Sequence, residues 1–484
     1  MKKIIGIILG VGLLHRLLFL GTRQLWTDEL MQARIIKLGS PAEILERLRG
    51  GMDLASPLDF FVQRGVTFLL GDSTWALRLH AVLFGTLSIW IFYRISRFLF
   101  GERVAIYSAV LFAFYPLAYH YSQEARPYAL LLFLTLLSYD LLLHQLYGKE
   151  RGWQGWVVIA CVLTLLFYTS FLGGLILLAQ FAALVLMAFW EARPSATPPE
   201  DDAEPGPAEA VKINWSQVIF YAFAALVAVL LFFPWVKYAW ARPNLVTAAQ
   251  VLNLKLILRI IKELGDGSYP VSGLLLIGVV TGIRALLRHG RRNSLVWLVC
   301  WFLVPIPILL LVEVWAGYFF AIRHILHATP PLLLIAGYGL SYVGERLTIL
   351  PRLPYQLSSP AITFAALLVL MSAWIGQVHS RSDPADWAGT ATFLSQTVRE
   401  GDSVSAPMVY ALLEYYHPEL QPYRAEDLDP GPGTLASPNI QRRIVVCYDK
   451  ISPDPCRQFR VAALKDAAWG KRQFTAFTVF LRGK

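Results

Sequence analysis

Long apolar runs limit what this chain can fold into more than any other feature. A helix needs about 20 mostly apolar residues to cross the hydrocarbon core of a bilayer, and many windows, 4–20 and 361–377 among them, meet or approach that length. The balance of residues agrees: over 484 residues, 56% are hydrophobic and 16% charged, whereas soluble domains are about a quarter charged. Mean hydropathy is +0.51. The reading is a mainly α, polytopic membrane protein.

Run length places about eleven spans, near 3–20, 76–97, 104–121, 127–147, 153–170, 172–190, 215–236, 270–287, 295–314, 324–343 and 361–378. The N-terminal run lacks a small-residue cleavage site, and His15 and Arg16 interrupt it. It is therefore expected to stay as a first membrane helix, with Arg16 snorkelling outward. Lys2 and Lys3 put the N-terminus in the cytoplasm. The formal charge of +10 sits largely in short loops such as Arg284, Arg288, Arg291 and Arg292. The positive-inside tendency accounts for these, and no basic recognition face points to nucleic acid. Strict alternation does not put all the basic loops on one side, so one or two span limits conflict with the charges.

Three segments are too polar to span. Residues 21–75 form a long outer loop with amphipathic stretches at 41–48 and 58–70. Residues 193–210, rich in Pro, Glu and Asp, read as a disordered cytoplasmic linker. Residues 380–484 mix a helical stretch at 387–399 with strand-like runs at 403–406, 444–448 and 474–481, and read as a small extracytoplasmic α/β domain. Residues 1–379 make up the transmembrane part. Cys447 and Cys456 fall in that outer domain, where an oxidising compartment allows a disulfide. Cys161 and Cys300 fall within spans and read as packing residues.

Candidate chemistry gathers at three places. Asp28 and Glu29 follow the first span. A carboxylate beside a low-dielectric surface has raised proton affinity and suits a general base. The competing reading is structural: Thr27 or Asp28 caps a helix and Glu29 favours its first turn. Arg126 precedes Pro127, which suits the first turn of the fourth span, so a guanidinium stands at a helix N-terminus, a natural phosphate site. Its rival role is headgroup anchoring or pairing with Glu124. Arg323 repeats the pattern before the tenth span. Asp28, Arg126 and Arg323 each follow an odd number of spans, which puts all three on the outer face. A base and two phosphate-binding arginines on one face fit transfer from a lipid phosphate.

Between Leu25 and Leu142 the chain resembles the bacterial dolichyl-phosphate-mannose-protein mannosyltransferase-like family, type-C membrane glycosyltransferases related to the aminoarabinose transferases. The matching residues are Trp26-x-Asp28-Glu29, Ser56-Pro57-Leu58, Trp75-x-x-Arg78-Leu79, Phe100-Gly101 and Tyr121-Ser122-Gln123-Glu124-Ala125-Arg126-Pro127-Tyr128. The likeness returns faintly at Arg323 with Pro330-Pro331, at Asp386-Trp387 and at Tyr415-Tyr416. It implies Asp28 as catalytic base with Glu29 beside it, Arg126 and Arg323 on the carrier phosphate, and an inverting displacement. Gln123, Glu124, Tyr128 and Asp53 are further candidate substrate contacts. Two departures stand out. Relatives often carry a His-, Lys- or Asn-Pro-Pro-Leu-Tyr motif where this chain has Ala55-Ser56-Pro57-Leu58-Asp59, and Arg-Tyr where it has Arg323-His324.

The function expected is a hexosyl or pentosyl transferase of the cell (inner) membrane, taking sugar from a polyprenyl-phosphate donor to a hydroxyl on protein, lipid or glycan, as in protein O-glycosylation. The alternatives are a transporter or flippase and a sugar-polymer ligase of the envelope. The sequence singles out no particular cofactor. A divalent metal is compatible with Asp28, Glu29 and Asp53.

Overall fold

The computed structural model describes residues 2–37, 40–51, 53, 55–148, 152–190, 207–210, 212–240, 254–316, 321–346, 366–373, 375, 386–406, 409–424, 442–449, 456–464 and 469–483. The chain is mainly helical and divides into two compact units. One comprises residues 1–20 with 39–380, the other residues 21–38 with 381–484.

In the first unit, six helices among the described residues are long and apolar enough to cross a membrane: Thr74–Phe100, Tyr128–Tyr147, Gly173–Trp190, Trp215–Tyr238, Tyr269–Arg288 and Arg292–Val312. Several other expected spans are shorter or broken, for identifiable reasons. The run 104–121 divides at Tyr115 into helices Glu102–Phe114 and Pro116–Tyr121. Tyr115 precedes a proline and takes an extended conformation, φ −64 and ψ 118, as the proline ring demands of its predecessor. In the run 324–343, the α-helix Pro330–Arg346 starts only at the first of two prolines, and a 3-10 segment, Ile322–Ala328, precedes it. Half of the eleventh span lies outside the described residues, and the described half, 366–373 and 375, is helical.

The core of this unit is a continuous set of interhelical contacts. Tyr139 stacks on Trp301 with ring centroids 3.6 Å apart, and Trp297 Nε1 donates to Tyr147 at 3.1 Å. Helix Tyr269–Arg288 packs closely on Pro330–Arg346. A Cβ at Gly282 would fall 2.1 Å from the Ile335 carbonyl oxygen, so glycine sets the approach of these helices, as small residues do in membranes. Side chains pointing away are apolar too: Leu276, Ile277 and Val280 of the same helix are exposed, which suits lipid contact.

The expected linker at 193–210 falls mostly outside the described residues. Its last residues, Pro207–Ala210, form a helical turn. The Glu209 carboxylate accepts from the backbone N–H groups of Asn293 and Ser294, each at 3.0 Å. These are donors left open at the start of helix Arg292–Leu303, which a carboxylate satisfies while complementing the helix dipole.

The second unit carries a four-stranded sheet, ordered β1 (Asp402–Ser405), β2 (Arg442–Tyr448), β4 (Phe477–Gly483), β3 (Gly470–Gln473). β1 and β2 are parallel; the other pairs are antiparallel. The expected single run at 474–481 is thus the second half of a hairpin, its turn tied by Phe474 N–H to the Phe477 carbonyl at 2.8 Å. Val445, Cys447, Cys456, Phe459 and Phe480 form a small core. Cys447 and Cys456 are disulfide-bonded, with Cα atoms 5.8 Å apart.

Residues 21–38 belong to this unit although the sequence groups 21–75 with the membrane part. Gln24 accounts for the placement. Its amide donates to Asp386 Oδ1 at 3.2 Å and accepts from Ala388 N–H at 3.3 Å. Helix Thr27–Lys37 packs against helix Tyr410–Tyr416, with Lys37 Nζ 5.1 Å from the Tyr415 ring centroid.

Candidate functional site

Helix Thr27–Lys37 begins one residue earlier than a Thr27 or Asp28 cap allows. The Trp26 carbonyl accepts the first helical hydrogen bond from Leu30 N–H at 2.9 Å, which makes Trp26 the cap residue. Glu29, three positions into the helix, accepts from Trp26 N–H at 3.2 Å and has no exposed surface. This is the reciprocal half of a capping box. Glu29 therefore holds the helix start, and Asp28 stands half-buried beside it.

In the first unit, the motif 121–128 is a buried turn. Ser122, Gln123, Glu124, Ala125 and Arg126 are all buried. Helix Tyr128–Tyr147 starts after Pro127, whose carbonyl accepts from Leu131 N–H at 2.8 Å, so the proline is the cap itself. Arg126 lies just outside the helix end and is ion-paired rather than open to the surface. Its guanidinium reaches Asp53 Oδ2 at 2.7 Å and Oδ1 at 3.4 Å. Asp53 is fixed in turn by Ala55 N–H, which donates to Oδ1 at 2.8 Å. Two oxygens meeting two guanidinium nitrogens set the plane of the arginine fork. The structure thus joins two residues that the sequence leaves unconnected.

Two further groups stand at this turn. His120 Nε2 lies 2.8 Å from Glu124 Oε1, and its Nδ1 lies 3.3 Å from Asp266 Oδ1. Asp266 sits in a tight turn between helices Leu254–Leu264 and Tyr269–Arg288, with φ +51, followed by Gly267 at φ +83. Aspartate is among the few side chains that tolerate this left-handed region. The turn is anchored by Tyr115, whose hydroxyl donates to the Leu264 carbonyl at 2.5 Å. The sequence signal for Asp266 was Gly265-Asp266-Gly267, a turn signature; His120 lies one residue before the motif.

Arg323 does not cap its helix. It lies in the 3-10 segment Ile322–Ala328, which packs against Pro116–Tyr121, Tyr128–Tyr147 and Leu254–Leu264. The Tyr121 and Tyr128 rings, on the two helices that flank the turn, meet edge to face at 5.1 Å. Arg323, Arg126, Glu124, Gln123, Tyr128 and Asp53 are therefore in one unit, around one turn. Asp28 and Glu29 are in the other.

The first unit also holds a cavity of about 870 Å³. Its walls are mostly apolar, including Leu45, Leu58, Phe61, Leu165 and Phe233, with Arg49 and Lys237 among the lining. Among the described residues, no group of three or more His, Cys, Asp or Glu is placed to hold a metal ion.

Comparison with known proteins bears on this arrangement. Residues 55–197 match a family model described as Dolichyl-phosphate-mannose-protein mannosyltransferase. That agrees with the resemblance read between Leu25 and Leu142. ArnT from Cupriavidus metallidurans, in a crystal structure bound to undecaprenyl phosphate, aligns with a TM-score of 0.61 at 14% identity, over 98% of this chain and 97% of that one. Its apo state aligns with a TM-score of 0.61 at 15% identity, over 99% and 98%. This chain has the ArnT fold. The archaeal oligosaccharyltransferase AglB from Archaeoglobus fulgidus, in complex with an inhibitory peptide and a dolichol-phosphate, aligns at 0.56 and 10% identity, over 99% of this chain and 74% of that one. No curated protein sequence matches. A fold shared with ArnT from end to end, with six long apolar helices, is that of a multi-pass membrane protein.

Proposed function

We propose that the chain is a membrane glycosyltransferase that takes sugar from a polyprenyl-phosphate carrier. The observation that carries this reading is the near-complete overlap in fold with ArnT, whose crystal structure holds undecaprenyl phosphate. The family match over residues 55–197, which contain the Arg126 turn, supports it.

Asp28 takes the proton of the acceptor hydroxyl as that oxygen attacks the anomeric carbon. The carbon–oxygen bond to the carrier phosphate breaks, and the phosphate leaves as an anion. It needs no proton, so a base and cationic groups suffice. Direct displacement inverts the anomeric centre. Arg126, its plane fixed by Asp53, receives the anion, and Arg323 adds a second positive charge at the same turn. His120 and Asp266 hold Glu124 in place around that turn. The apolar cavity with Arg49 and Lys237 in its wall suits part of the carrier's lipid chain.

The chemistry takes place on the extracytoplasmic face of the cell membrane. The chain crosses about eleven times, with a cytoplasmic N-terminus and residues 380–484 outside. The sugar is a hexose or a pentose, and the acceptor hydroxyl belongs to protein, lipid or glycan. The purified protein, supplied with radiolabelled polyprenyl-phosphate sugars and candidate acceptors, should yield a labelled product and free polyprenyl phosphate. Carrier translocation without sugar transfer would support the transporter alternative instead.

A further inference from the structure

Arg16 has no exposed surface, where snorkelling would have left its head in water. The difference has a direct cause: the C-terminal half of helix Lys2–Leu17 is docked on other helices. His15 stacks on Tyr119 at 4.2 Å. A charge buried inside a membrane protein is costly unless hydrogen-bonded, and leucine would pack this position without that cost.

The Arg16 hydrogen bonds run to three separate elements. Its Nη1 donates to the Gly12 carbonyl at 3.1 Å, one turn back, and to the Ala113 carbonyl at 3.0 Å, near the end of helix Glu102–Phe114. Its Nε donates to Ser122 Oγ at 3.2 Å. Ser122 is the first residue of the turn that carries Arg126. The Ser122 hydroxyl donates to the Ala118 carbonyl at 2.6 Å, which leaves its lone pairs for Arg16. The contact is reciprocated, because Gln123 Nε2 donates to the carbonyls of Arg16 at 2.9 Å and Leu18 at 2.7 Å. Room for it depends on Gly85, where a Cβ would fall 2.0 Å from Ser122 Oγ and 3.3 Å from Arg16 Nε.

We propose that Arg16 is a positioning residue for the carrier-phosphate site. It fixes the turn 122–127 and, through it, the direction in which Arg126 presents its guanidinium. The turn is not part of a helix: Gln123 N–H bonds back to His120, and Arg126 N–H to Glu124. Side-chain ties to the first helix replace the missing ladder. Asp53 holds the guanidinium itself, and Arg16 holds the base on which it stands. The proposal rests on the reading of Arg126 as a phosphate ligand.

The test uses full-length protein in lipid nanodiscs with undecaprenyl phosphate as the probe. Ser122→Ala is the principal variant because it removes one acceptor and little volume. Affinity for undecaprenyl phosphate and donor KM should each worsen about tenfold, the scale of one hydrogen bond to a charged group. The kcat at saturating donor should stay within roughly two-fold. Arg16→Lys, which keeps the charge but not the fork, should give the same split. In a double-mutant cycle, Ser122→Ala should add little to the affinity loss of Arg126→Lys, while their effects on Tm add. A purely structural arginine predicts the opposite, with Tm falling and affinity intact. Undiminished affinity in folded Ser122→Ala, or affinity losses that simply multiply, overturns the proposal. Unchanged affinity in Arg126→Lys and Arg126→Ala alone overturns the reading of Arg126, and the role of Arg16 falls with it.

Discussion

Asp53 and Arg126 are both more than nine-tenths buried, and the worth of such a pair lies less in stability than in what each does to the other. Removing one partner leaves an uncompensated buried charge, which costs about 3–5 kcal/mol. Asp53→Ala should therefore lower thermal stability sharply, and Asp53→Asn less, because the amide keeps an oxygen for the Arg126 fork. Thermal denaturation of the purified variants checks this. Arg126→Ala should weaken undecaprenyl phosphate binding as well as turnover. Arg126→Lys should rescue only part of it, because lysine lacks the planar fork; equilibrium binding separates the two. The pairing was not legible in sequence. Asp53 stands 73 residues from Arg126, and no local pattern links a loop carboxylate to a guanidinium on another turn. The motif around Arg126 was legible, because a proline and a row of polar residues interrupt an apolar run. Arg16 was misread because its span could be seen but its neighbours could not.

At the scale of elements, apolar run length located the helices well and their ends poorly. Proline decides the ends. Pro116 breaks the run 104–121, and helix Glu102–Phe114, at 13 residues, reaches only about 20 Å at 1.5 Å per residue. Pro330 delays the tenth helix and leaves Arg323 on a 3-10 segment. Glu209 shows the reverse failure, since an acidic, proline-rich stretch reads as solvated yet closes a helix N-terminus. Glu209→Ala should cost about 1 kcal/mol, as the loss of a cap does, and lower the Tm measured by denaturation. In the C-terminal unit, burial pushes the Tyr410 hydroxyl up to about 12, with Glu414 adding to the effect and Arg424 opposing it. The neutral form is thus favoured by folding. Stability from this group is intact below the ordinary value of 10 and is lost as pH rises from there towards 12. Tyr410→Phe should flatten that alkaline loss in a pH series of unfolding curves.

At the scale of the whole molecule, the architecture was legible because hydrophobic run length is a direct physical signal, and the motifs between Leu25 and Leu142 carried the family likeness. The grouping of residues 21–38 with the C-terminal unit was not legible, since Gln24 meets Asp386 and Ala388 across more than 360 residues. The proposed eleven-span topology puts an even number of crossings before the segment 193–210 and an odd number before 380–484. Reporter fusions after Pro199 and at the C-terminus should report from opposite sides, and the same side for both would break the eleven-span account. The central claim is chemical, and one comparison tests it most directly: sugar transfer and undecaprenyl phosphate binding measured together on the Asp28→Asn protein. The amide keeps the shape of the side chain but accepts no proton. Transfer should fall by about 10²–10⁴-fold, the range for loss of a general base, while carrier binding and Tm stay at wild-type values. A stable Asp28→Asn protein that transfers sugar at the wild-type rate would contradict the account.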